Sequence, residues 1–126
     1  MTDEILEKEE SVDGNAPRNL ANVSASELAD AIYEILDNKK ARDIKILHVE
    51  KKTILADYFV LCTGNSSTQV KALADEVEYK TGLYGRPPKN VEGKGNISWI
   101  VLDFDNVIVH VFSREARDYY NLDKLY

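Results

Sequence analysis

The chain has 126 residues, 44% of them hydrophobic and 30% charged, and a net charge of −6. That is one domain of ordinary size with enough apolar material for a core, so a generally disordered chain is excluded. No apolar run nears the ~20 residues that span a bilayer, no apolar leader opens the chain, and there is no basic footprint for nucleic acid.

Cys62 is the single cysteine, which excludes an internal disulfide and any metal site built from cysteine alone. Together these absences point to a reducing, cytoplasmic setting. The charge is uneven. Residues 1–23 carry six carboxylates against Lys8 and Arg18, a net −4, and residues 24–126 hold the other −2. With Gly14, Asn15 and Pro17 close together, residues 1–23 read as an acidic tail without fixed structure. The domain is expected over 24–126.

Ser24 and Glu27 stand at capping-box spacing and open a helix. Leu28, Ile32, Ile35 and Leu36 follow at helical spacing and carry it to about Lys40. Residues 43–50 (DIKILHVE) alternate with β-branched residues and predict a strand. Residues 57–63 (DYFVLCT) form a mostly apolar run, the mark of a strand covered on both faces. Thr63-Gly64-Asn65-Ser66-Ser67 then leads into a second helix with the stripe Val70, Leu73, Ala74 and Val77. That small polar knot lacks the lysine and glycine spacing of a phosphate loop, so turn and helix cap is the favoured reading over an anion site.

Gly82, Gly85 and Pro87-Pro88 end the helix. A short strand or loop (KNVEGK) follows, and then two strands at 98–104 and 107–113 joined through Asp105-Asn106, a two-residue hairpin signal. Ser113 caps a last helix that begins at Arg114. The element order α-β-β-α-(β)-β-β-α predicts an α/β fold, a single mixed β-sheet with helices packed mainly on one face.

The hairpin separates two faces. Ile100, Leu102, Phe104, Val107, Val109 and Val111 make a wholly apolar face that must lie against the helices. The other face mixes Trp99, Val101, Asp103, Ile108, His110 and Phe112. Aromatic anchors rimmed by polar groups are what a protein-binding patch uses. The competing reading is a face half covered by the C-terminal helix, with His110 and Asp103 at its wet edge.

Catalytic chemistry finds little support. Asp103 and Asp105 resemble metal carboxylates, but Asp105 falls in the hairpin loop and no third acidic strand residue accompanies them. His48 and His110 lack a second ligand at metal spacing. Cys62 lies in an apolar strand, as a buried inert thiol does. No catalytic, cofactor or metal residue is assigned.

The segments ADYFVLCTGNSSTQVKALAD (56–75), VEG (91–93), WIVLDFDNVIVHVFSRE (99–115) and the YY-LDKLY tail resemble the ribosomal silencing factor family, also called Iojap-like proteins. The resemblance covers about residues 24–126. It implies a fold like a nucleotidyltransferase domain without the catalytic set, and a protein that is not an enzyme. It further implies binding to large-subunit ribosomal protein fourteen, a steric block to joining of the small subunit, repression of translation, and a homodimer when free. The family's tryptophan matches Trp99, its neighbouring acid Asp103, the acid of VEG Glu92, and the acid and aromatic of ADYF Asp57 and Tyr58. The hairpin loop, often Gly-Asp in the family, is Asp105-Asn106 here. The C-terminal tryptophan is replaced by Tyr126.

The expected partner-binding residues are thus Trp99 as anchor, Tyr58 and Phe112 as apolar extensions, and Asp57, Glu92, Asp103 and Asp105 facing basic side chains. No cofactor, membrane or sequence-specific nucleic acid is expected. The alternatives are a Mg²⁺-dependent nucleotidyltransferase using Ser66, Asp103 and Asp105, and a bare dimerisation module using the same patch.

Overall fold

A computed structural model of the chain describes residues 18–95 and 98–126. Local capping starts each main helix where the sequence predicts. The Ser24 hydroxyl accepts from the Glu27 N–H at 3.1 Å, and the Glu27 carboxylate accepts from the Ser24 N–H at 3.1 Å. This reciprocal pair opens α1, Ala25–Asn38, whose stripe Leu28, Ile32, Ile35 and Leu36 is buried. Lys40, with φ at 63°, turns the chain out of the helix.

The Ser66 hydroxyl caps α2, Ser67–Leu83, by accepting from the Gln69 N–H. The knot before it is a close-packed turn. A Cβ on Gly64 would stand 2.9 Å from the Val70 side chain and backbone nitrogen, so only glycine lets the first turn of α2 sit this near the strand.

The strands are β1 (Arg42–His48), β2 (Tyr58–Gly64), β3 (Asn90–Glu92), β4 (Trp99–Asp103) and β5 (Val107–Ser113), followed by the short helices α3 (Arg114–Tyr120) and α4 (Leu122–Leu125). They form one mixed sheet in the order β1-β2-β5-β4-β3, with β2 and β5 parallel and every other pair antiparallel. The two central strands are almost wholly buried, as their apolar runs require. The hairpin has the predicted register, from Trp99 opposite Phe112 to Asp103 opposite Ile108.

The two long helices lie on one face and close the main core with Val60, Cys62, Ile100, Leu102, Phe104, Val107, Val109 and Val111. A second, smaller core lies on the opposite face. It joins Val49, Phe59, Leu61 and Phe112 to Ala116 and Leu122 of the C-terminal helices.

One boundary is corrected. Residues 1–17 of the acidic tail lie outside the described residues, but 18–23 are part of the domain. Leu20 is 3% exposed and sits in the main core. Its N–H donates to the Tyr84 carbonyl at 2.8 Å, and its carbonyl accepts from the Arg86 guanidinium at 3.2 Å. Arg18 pairs with Glu34 at 2.7 Å. Leu20 and Val23 ahead of the first cap show no periodicity, so the pattern gave no warning of their packing. Leu20→Ala should destabilise the domain by about 2–3 kcal/mol. A urea titration would show this as a lower midpoint at unchanged slope.

Candidate partner-binding face

Alternation along β4 and β5 places Trp99, Val101, Asp103, Ile108, His110 and Phe112 on the face opposite α1 and α2. The register of β3 adds Asn90 opposite Asp103 and Glu92 opposite Val101. The C-terminal helices cover only part of this face, over β2 and β5.

Arg117 ties that cover down. It is buried and donates to both Asp123 oxygens at 2.8 and 2.9 Å, to the Thr63 hydroxyl at 3.0 Å and to the Asp43 carbonyl at 2.9 Å. This charge-assisted set holds α3 and the start of α4 to β1 and β2. Asn121, at φ 52°, makes the break between the two helices. On the β3–β4 side the face stays open: Trp99, Val101, Asp103 and Ile108 are half-buried, and Asn90 and Glu92 are exposed. Of the second reading of the hairpin face, the partial cover is found. A C-terminal cover exists, and it stops at the indole.

Trp99 is held on several sides. Its ring lies 4.4 Å from Tyr120 and 5.1 Å from Phe112, centroid to centroid. Its indole N–H donates to His110 Nδ1 at 3.1 Å. Gly93, the glycine of the VEG stretch, shapes the backbone behind it. Its φ is 90°, and a Cβ there would collide with the Trp99 carbonyl, so any other residue would push β4 away.

His110 is not at the wet edge. It is 7% exposed and packs edge-on to Phe59 at 4.7 Å. Burial pushes its pKa down from 6.5 to about 4, so the ring is neutral. Because Nδ1 accepts from the indole, the proton sits on Nε2. That buried atom has no hydrogen-bond partner among the described residues, an arrangement that costs about 1–3 kcal/mol.

Several expected residues are placed differently. Phe112 is fully buried beneath Trp99, so it supports the indole and does not extend an exposed contact; the small C-terminal core, invisible to alternation, closes over it. Tyr58 lies toward the main-core face, stacked on His48 at 4.6 Å, and is not brought together with Trp99. Asp57, Asp103 and Asp105 gather at the hairpin end, and Glu92 lies farther along the sheet, opposite Val101. The Asp57 N–H donates to the Asn106 carbonyl at 2.9 Å. The Asp103 carboxylate accepts from the Asp105 N–H at 2.7 Å, and exposed Asp105 stands 3.7 Å from Lys89. Glu92 accepts from the Asn90 amide at 2.8 Å.

Tyr120 had no assigned role in the sequence reading. Its signal is helical spacing: it lies three and four positions after the buried Arg117 and Ala116 in a helix capped by Ser113, and although exposed it sets its ring against Trp99.

The geometry disposes of the nucleotidyltransferase set. Ser66 follows the end of β2 that pairs with Ser113, whereas Asp103 pairs with Ile108. Five residues of strand, about 17 Å, separate them. The buried Cys62 thiol is pushed up to about 12 and is no nucleophile at neutral pH.

A family model described as "Ribosomal silencing factor during starvation" matches residues 22–126. The ribosomal silencing factor of Bacillus subtilis is 42% identical over 90 residues, covering 71% of this chain and 76% of that protein. The one from Halalkalibacterium halodurans is 36% identical over 104 residues, covering 82% and 89%. A crystal structure of a Chromobacterium violaceum protein superposes with a TM-score of 0.79 at 34% identity, covering 82% of this chain and 86% of that one.

The buried imidazole predicts an acid limb of stability. Unfolded His110 takes up its proton near pH 6.5, and the folded ring does so only near 4. Stability should therefore fall as pH drops through that window, by up to about 3 kcal/mol. Asp43, Asp75 and Asp123, held below 3.8 by basic partners, act only at lower pH. Unfolding free energies of the native chain and of His110→Phe between pH 7 and 4 check this; the variant should show a flatter limb.

Proposed function

The chain belongs to the ribosomal silencing factor family, and on that premise we propose that it represses translation by seating its Trp99 face on ribosomal protein fourteen of the large subunit. Membership already makes it a regulator that acts at the ribosome, not an enzyme. The observation that carries the finer reading is the half-exposed indole at the edge of the C-terminal cover, already fixed by Tyr120, Phe112 and His110. An aromatic anchor held in place before binding loses little freedom on docking.

Asp103 and Glu92 share that face, and Asp57 and Asp105 stand at the hairpin end. With the net charge of −6, they favour a basic protein over the phosphates of RNA and mainly raise the rate and fix the register of docking. Tyr58, on the other side of the sheet end, reaches a partner only if that partner wraps the edge.

The block is steric. A domain seated on the intersubunit surface and the small subunit exclude each other. Joining is then weakened by the factor 1 + [chain]/Kd, about a hundredfold at 100 Kd. The same reading places the protein in the cytoplasm and makes it a homodimer when free.

Co-sedimentation with isolated large subunits, followed by addition of small subunits, tests the proposal. The chain should pellet with large subunits and lower the yield of joined particles. Trp99→Ala should weaken co-sedimentation about thirtyfold or more while circular dichroism stays native-like. Unchanged pelleting of that variant would overturn the assignment of this face.

A further inference from the structure

Resting on that reading, we propose that His110 is a positioning residue for partner recognition: it takes the indole N–H of Trp99 from within the fold and leaves the partner a fixed carbon surface without a donor.

The argument starts from what position 110 would otherwise hold. It lies on the central strand β5, opposite Val101 on β4 and Leu61 on β2, with Phe59 and Phe112 beside it. An apolar side chain suits every one of those neighbours. An imidazole there instead leaves Nε2 buried and, among the described residues, unpartnered. Natural folds break a local rule of this kind where a site needs it. The return is visible at the other ring nitrogen, where Nδ1 accepts from Trp99 at 3.1 Å.

Indole has one donor and no acceptor. Once His110 holds that donor, a main-chain carbonyl or carboxylate of the partner has nothing to claim from Trp99. Recognition at this position is then by shape and dispersion against the ring. The hydrogen bond also restricts rotation of the indole, which Tyr120 and Phe112 confine from other directions. Anchors restricted before docking retain more of their contact energy as affinity.

Trp99 is the only tryptophan, so its indole N–H gives a single cross-peak in a ¹⁵N-labelled full-length sample. In the native chain that peak should be shifted downfield and protected from exchange. In His110→Phe it should move toward the free-indole position and exchange about tenfold faster or more. The melting temperature of that variant should equal or exceed the native one at neutral pH, while affinity for large subunits falls about five- to tenfold. His110→Asn, whose amide oxygen lies near the place of Nδ1, should recover part of both signals. Native affinity in a folded His110→Phe, or an unmoved indole peak, would overturn the inference. If the unsubstituted chain fails to co-sediment, the docking reading itself is what falls.

Discussion

Two residues, Asp105 and Asn106, decide which side of the sheet each side chain of β4 and β5 faces. The loop is tied at several points. Asp105 adopts φ 78°, the Asn106 N–H donates to the Phe104 carbonyl at 3.0 Å, and the Asp103 carboxylate accepts from the Asp105 N–H. Arg86 holds the Asn106 side chain from outside at 3.2 Å. A slip of one residue would carry Ile100 and Leu102 into water and drive Trp99 into the main core. Core and candidate interface are therefore set by one local geometry, and neither can be lost alone.

That geometry was legible because it is local. A hairpin pair, three serine caps and an alternating run each express their physics within a few residues of themselves. Burial across elements does not. Leu20 joins the core through a contact with the end of α2, more than sixty positions away, and Phe112 disappears beneath helices whose docking depends on Arg117 reaching Thr63 and Asp43. Tyr58 was grouped with Trp99 by motif, but strand alternation and the parallel pairing of β2 with β5 put it toward the main core. The site was readable as a face and a lead residue. Its supporting shell, Tyr120 and His110 above all, depended on tertiary packing.

The second core explains why the face can hold an aromatic half in water. Its apolar residues alone would leave a shallow layer over β2 and β5, and the Arg117–Asp123 pair adds directional bonds where the apolar area is small. The cover is anchored at the β1–β2 side and ends before β3, so the indole stands at a built margin. A buried guanidinium bonded to Asp123, Thr63 and Asp43 is a demanding device, since removal of the Asp123 carboxylate leaves its charge unpaired in a dry place. Its use here ties the shape of the exposed surface to the integrity of the C-terminal helices.

The strand order has a further consequence, for synthesis. The sheet runs β1-β2-β5-β4-β3, so the inner edge of β2 is closed by β5, the last of the five strands to be made. Until residues 107–113 have emerged, β1 and β2 present an apolar, hydrogen-bond-hungry border with no mate. Nascent or prematurely ended chains would thus be sticky, and folding must wait for a late, long-range closure.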